Sequence, residues 1–201
     1  MAIIIINTRL SFMKPLEIFF NPTFGLILGL LVALTSDLAC AQPSERLQGL
    51  YDQLATSLPQ DGPLIAHEIE LERAHSGSAE MDLLLQKGQA AMSNGAFDAA
   101  LAHFSALIDN APAFIEGYNA RATTYFLMGA FGQSMADIQQ VLAQDPRHYG
   151  ALAGFGMILE ALNRPQAALE VYRAALAANP HMTQIQSAVI RLDLSLAGQE
   201  L

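Results

Sequence analysis

The sequence predicts an all-α fold built as a stack of helical hairpins, and three regularities carry that prediction. Pro112, Pro146 and Pro180 stand 34 residues apart. Gly95, Gly129 and Asn163 keep the same spacing, at points where two helical patterns meet. Two sets of small residues, Gly88, Ala122, Gly156 and Ala100, Ser134, Ala168, repeat in the same register, as do the large residues Phe104, Ile138 and Tyr172. A fixed period of roughly 20–50 residues marks an array in which each unit buries its apolar face against its neighbours.

The chain opens on a different kind of segment. It is 52 % hydrophobic and 14 % charged, apolar for a soluble protein. Phe24 to Leu34 carries the excess, with no charge and no strongly polar residue. Arg9 and Lys14 precede it, and Ala39-Cys40-Ala41 follows with the small-x-small form that signal peptidase requires. Residues 1–41 therefore read as a secretory signal peptide cleaved after Ala41, with Met13 as an alternative start. The competing readings are an uncleaved anchor and a lipoprotein. The apolar run is shorter than the ~20 residues that span a bilayer, and Glu17, Asn21 and Pro22 interrupt it on its amino side. Asp37 stands where a lipidated Cys40 needs an aliphatic residue. The predicted compartment is the periplasm or the outside of the cell, with inner-membrane anchoring as the alternative; membrane contact follows only from an uncleaved leader or a lipidated Cys40. Cys40 is the only cysteine. With the leader removed, disulfides, thiol catalysis and cysteine metal sites are excluded.

The net charge is −9. Arg9, Lys14, Glu17 and Asp37 cancel within the leader, so the rest of the chain carries all of it. No basic cluster occurs, which excludes nucleic acid as a partner, since phosphate binding needs a cationic surface. An acidic balance aids solubility and favours basic partners.

Residues 42–80 predict a leading helical hairpin. Leu47, Leu50, Tyr51, Leu54 and Leu58 recur at helical spacing behind Ser44, a fair N-cap. Pro59-Gln60-Asp61-Gly62-Pro63 breaks the helix, and Leu64, Ile65, Ile69 and Leu71 mark a second one that Ser76-Gly77-Ser78 ends. This degenerate hairpin is expected to stack on the first repeat. The units follow at 81–114, 115–148 and 149–182. In each, the Gly/Gly/Asn position lets the first helix stop in a left-handed conformation. The small residue seven places earlier lets the second helix approach closely. Ala100, Ser134 and Ala168 answer it from the second helix, and Phe104, Ile138 and Tyr172 lie one turn further along that face. Pro112, Pro146 and Pro180 end the second helices. At 183–201, Ile185, Val189, Ile190 and Leu192 predict a capping helix with a wet outer face.

These positions resemble the tetratricopeptide repeat family, whose pattern is W-x2-L-G-x2-Y, A-x3-F and P on a 34-residue period. The first-helix aromatic slot reads Leu84, Tyr118 and Leu152; the Leu-Gly slot reads Lys87-Gly88, Arg121-Ala122 and Phe155-Gly156; the Tyr slot reads Ala91, Tyr125 and Leu159. The resemblance covers about half the chain and implies a right-handed α-α superhelix whose first helices line a concave groove. Its positions are Asp82, Leu85, Gln86, Gln89 and Met92 in the first unit, then Glu116, Asn119, Thr123, Phe126 and Leu127. The third unit contributes Gly150, Ala153, Met157, Glu160 and Ala161. Gln86, Gln89, Met92, Asn119, Thr123, Phe126, Met157 and Glu160 are the candidate binding residues, for a protein or peptide partner. Some relatives hold a peptide's carboxylate with a Lys/Asn/Arg clamp; the corresponding slots here are Leu85, Gln89, Ala120, Gly150 and Gly154, so that mode is not expected.

No catalytic constellation emerges, and no enzyme activity, cofactor or metal is predicted. His67-Glu68 begins an HExxH-like string, but Leu71 replaces the second His. Gly154-Phe155-Gly156 lacks the third glycine and the preceding strand of a dinucleotide loop. Glu68, Glu70 and Glu72 fan around a helix; they support only weakly an alternative as an accessory subunit or hydrolase. A self-associating structural module is the other alternative.

Overall fold

The computed structural model describes residues 44–198. The leader, its cleavage site and Cys40 lie outside the described residues. Among the described residues there are nine helices and no strand. They are α1 (Glu45–Thr56), α2 (Gly62–Arg73), α3 (Ala79–Ser93), α4 (Phe97–Asn110), α5 (Ile115–Leu127), α6 (Phe131–Gln144), α7 (Tyr149–Ala161), α8 (Pro165–Ala178) and α9 (Thr183–Ala197). None of these is long and apolar enough to cross a membrane.

The pairs α3/α4, α5/α6 and α7/α8 form three tight hairpins, each packed on the next, and α9 packs on α8. Their turns adopt the geometry that the repeating Gly and Asn imply: φ is +74° at Gly95, +73° at Gly129 and +56° at Asn163. Within each hairpin the small and large residues are matched in size. A Cβ on Gly88 would lie 2.3 Å from the Phe104 ring, and one on Gly156 would lie 2.3 Å from the Tyr172 ring. The middle hairpin tolerates Ala122 because its partner, Ile138, is not aromatic. Ala100, Ser134 and Ala168 are fully buried; the Ser134 hydroxyl donates to the Ala122 carbonyl at 2.8 Å. Arg121 fastens α5 to α6 through a two-pronged pair with Asp137, both bonds at 2.8 Å. The prolines sit in the turns, three residues ahead of α5, α7 and α9. The residue before each of the last two forms a side-chain turn: Asp145 accepts from Arg147 N–H and Asn179 from His181 N–H.

The leading hairpin departs from expectation. Ser44 does cap α1, accepting from Leu47 N–H at 3.1 Å. The pair α1/α2 does not stack on the first repeat, however. Its buried residues Leu47, Leu50, Tyr51, Leu54 and Ile69 share a core with Tyr149 of α7 and Ala178 of α8, and Met182 packs against it. The hairpin lies as a strap along the edge of the solenoid where first helices begin. Gly62 abuts the His181 ring before α9, Glu70 accepts from the Tyr149 hydroxyl at the start of α7, and Arg73 reaches Glu116 in the first turn of α5. Twelve residues of α2 extend about 18 Å, enough to cross these three helix ends. The face that α2 buries is Gly62, Ile69 and Arg73, with Ile65 and Ala66 partly covered. Leu64 and Leu71, expected inside, are 65 % and 58 % exposed. The sequence pattern misleads here because the buried stripe ends on an arginine and the outward stripe carries leucines.

At the other end, α9 buries Ile185 and Leu192 and partly buries Val189. Ile190, expected on the inner face, is 62 % exposed, with Leu194 at 71 % one turn on. Ile190 occupies the slot of Gly88, Ala122 and Gly156, where a second helix packs in the full hairpins.

Candidate functional site

The first helices of the second and third repeats leave a cleft between them. Asn119, Thr123, Phe126 and Leu127 of α5 form one wall, Gly150, Ala153, Gly154 and Met157 of α7 the other, and Ala122 and Ile138 lie at its base. Its volume of about 280 Å³ falls just below the ~300–1,000 Å³ of small-molecule sites, so it suits a side chain better than a free metabolite. Gly150 and Gly154 keep the α7 wall free of side chains; a β-carbon on Gly154 would touch Ile138 at the base of the cleft at 3.8 Å, and one on Gly150 would touch the His148 ring at 3.5 Å. No charged residue lines it. Two of its polar groups are already engaged: Asn119 Nδ2 donates to Glu116 at 3.0 Å and Thr123 Oγ1 to the Asn119 carbonyl at 3.0 Å, leaving Asn119 Oδ1 and the Thr123 lone pairs as acceptors.

Four of the candidate binding residues, Asn119, Thr123, Phe126 and Met157, thus meet in one cleft. The others do not line it. Gln86 and Gln89 are exposed on α3. Met92 is partly buried and its sulfur accepts from Thr124 Oγ1 at 3.3 Å. Glu160 is engaged, accepting from the Tyr172 hydroxyl at 2.9 Å and from two Arg191 nitrogens at 2.8 and 3.0 Å. A second hollow of about 570 Å³, lined chiefly by α6 residues such as Met135, Gln139 and Leu142 and by Phe155, has no counterpart in the sequence reading.

At the edge of the groove lies a buried polar cluster that the sequence reading also missed. Glu116, one of the groove positions, is covered there. His148 caps α7: its Nδ1 accepts from Ala151 N–H, so Nε2 carries hydrogen and donates to Glu116 Oε1 at 2.8 Å. Arg73 enters from the strap, its guanidinium 4.5 Å from the Tyr149 ring centroid and 5.3 Å from that of Tyr51. It donates to the Tyr51 hydroxyl, which donates to Asp145. Burial works to raise the Glu116 carboxyl, but His148, Arg73 and Asn119 outweigh it and hold the group down at about 2. Burial pushes the Tyr51 and Tyr149 hydroxyls up. Glu70 and Glu72, on the acidic stretch of α2, also join the strap's contacts: Glu70 binds Tyr149 and Arg73, and Glu72 meets Ser44 and Arg46. They do not converge with Glu68 on a common point. The available sequence signal was the 34-residue correspondence of Asp145 with Asn179, a paired turn position, together with the lone arginine on the α2 stripe.

The geometry agrees with comparisons to known proteins. A tetratricopeptide repeat family model matches residues 69–113 and 119–183. A TPR repeat-containing protein of Rhizobium etli is 37 % identical over 161 residues, covering 80 % of this chain and 79 % of that one. Among solved structures, the first TPR domain of Spaghetti (RPAP3), bound to the HSP90 peptide SRMEEVD, superposes with a TM-score of 0.55 at 21 % identity, over 58 % of this chain and 93 % of that one. The TPR2B domain of yeast Sti1, in a complex with pHsp70, gives 0.54 at 18 % identity, over 59 % of this chain and 99 % of that one. The period, the left-handed turns, the matched small and large residues and these likenesses have one explanation: the chain belongs to the tetratricopeptide repeat family.

Proposed function

We propose that this protein is a non-catalytic scaffold that docks a segment of another protein in the groove of its first helices, in an exported compartment. One observation carries the reading: the uncharged, largely apolar cleft between α5 and α7, in which Asn119, Thr123, Phe126 and Met157 converge. Such a cleft seats an apolar side chain while its acceptors meet backbone N–H groups. The HSP90-peptide complex of the RPAP3 domain and the pHsp70 complex of the Sti1 domain support use of the fold in this way. The ligand differs in kind from the acidic HSP90 peptide bound to the RPAP3 domain, because Leu85, Gln89, Ala120, Gly150 and Gly154 provide no cation for a carboxylate. The leader supports export, with residues 1–41 removed; N-terminal sequencing of the protein from its native host tests this, and an intact Met1 or Met13 refutes cleavage.

The groove is tested by affinity capture with the wild-type chain and with Asn119→Ala/Phe126→Ala. Loss of a specific partner is expected; retention of every partner by the double variant refutes the groove. A second reading, self-association, is favoured by the exposed Ile190 and Leu194 on α9. A strictly monomeric mass at high protein concentration removes it.

A further inference from the structure

Glu116 corresponds in register to Asp82 and Gly150 along the groove, yet it is buried, between His148 and Asn119 of its own repeat and Arg73 from outside the repeats. The Arg73 side chain is 1 % exposed. Around it, the solenoid supplies two buried carboxylates, Glu116 and Asp145, and the flat face of Tyr149. Nη2 lies 3.9 Å from Asp145 Oδ2, and Nη1 binds Glu70 of the strap at 3.0 Å. Nε lies 4.0 Å from Glu116 Oε1, within ion-pair range but too far to bond, and it has no hydrogen-bond partner. Paired carboxylates beside an aromatic face select a planar cation with several donors; an ammonium, a compact point charge, matches them less well.

The strap is held to the solenoid by few apolar contacts. Five of the seven buried residues in its apolar core belong to the strap itself, and the solenoid adds Tyr149 and Ala178. Much of the remaining grip is polar, including Ser57 to His181 at 2.8 Å and Arg147 to Asp52 at 2.7 Å. Behind α2, Gly77 at φ +82° forms the joint to α3.

We propose that Glu116, Asp145 and Tyr149 form a guanidinium-binding site at the end of the groove, which the chain fills with its own Arg73 and which an arginine of a basic partner segment takes over when the strap lifts. The partner half of this statement rests on the groove reading. The unpartnered Nε gives a competitor its opening: an arginine whose Nε reaches Glu116 makes a bond that Arg73 does not. The charge balance points the same way, with a chain at −9 and arginines at 46, 73, 121, 147, 173 and 191 already held in ion pairs.

The test uses the full chain carrying Arg73→Ala, with N-acetyl-L-arginine amide as probe and N-acetyl-L-lysine amide as control. Titration followed by NMR should show saturable arginine binding at His148 and Tyr149, at least tenfold tighter than lysine and at least tenfold weakened by Glu116→Gln. In the wild-type chain, the arginine probe should accelerate amide exchange in α1 and α2 while α3 to α8 stay protected. If Arg73→Ala does not fold, Arg73→Lys serves, its lysine being displaced by the same probe. No saturable binding in the folded variant, equal binding of lysine, or unchanged strap exchange in the wild type overturns the proposal. The probe reads this site without any groove ligand, so a silent titration counts against the guanidinium site and a negative capture against the groove.

Discussion

At residue scale the repeat is governed by volume. Gly88 and Gly156 face aromatic rings, whereas Ala122 faces Ile138, so each hairpin keeps its summed bulk nearly constant. Gly88→Ala should destabilise the protein by about 1–3 kcal/mol, the usual cost of overpacking. Adding Phe104→Ile should recover part of that loss, which a double-mutant cycle from urea denaturation would measure. Additive losses would refute the size-matching argument. Asn163, at φ +56°, gives a second prediction: Asn163→Ala should cost about 1 kcal/mol and Asn163→Gly much less, read as a larger drop in Tm for the alanine. Glu116 gives a third. Its carboxyl is held at about 2 in the folded protein, against an unfolded value of ~4.3. Its stabilising contribution is therefore present above the unfolded value and is lost as pH falls from about 4.3 through about 2. Glu116→Gln should flatten that part of the stability-versus-pH curve; an unchanged slope would contradict the assignment.

At the scale of elements, much of the architecture was legible in the sequence, for a physical reason. Repeats 81–114, 115–148 and 149–182 contain local contacts, and the same spacing solves the same packing problem three times. The strap was legible only as two helices. Its docking depends on side chains remote in sequence, and the α2 pattern of Leu64 and Leu71 pointed to the wrong face. Half of the candidate groove residues share a cleft because α5 and α7 run side by side. Gln86 and Gln89 fall outside because α3 lies beyond α5, and Glu160 is taken by Tyr172 and Arg191. The strap's orientation is testable: Leu64→Ser and Leu71→Ser should each change stability by no more than about 0.5 kcal/mol, as for surface substitutions generally. Ile69→Ala should cost about 2–5 kcal/mol. Thermal melts that reverse this order would place α2 the other way round.

At the scale of the whole molecule, a solenoid's stability is to a good approximation a sum of unit and nearest-neighbour terms. Here α2 touches the amino ends of α5 and α7 and the turn before α9, and so adds a tie that is not between neighbours. That tie should make the second and third repeats unfold together. Weakening it with Gly62→Ala, whose Cβ would collide with the His181 ring at 2.2 Å, should broaden the denaturation curve and lower its m-value. A transition that moves to lower denaturant with unchanged m-value would show that the tie adds stability without coupling.

The strap also has a consequence for the order of events as the chain acquires its structure. Hairpins such as α5/α6 close over a few tens of residues, but Tyr51 meets its partner 94 residues away and Ser57 meets His181 124 residues away. Contacts of such separation form late, because the loop they close must first be ordered. On a ribosome the strap emerges ahead of the repeats and waits for its landing place, since His181 is made at the very end of the third repeat. The first of the described helices are thus the last to settle, and pulse-labelled exchange during refolding should find α1 and α2 protected after α5 to α8.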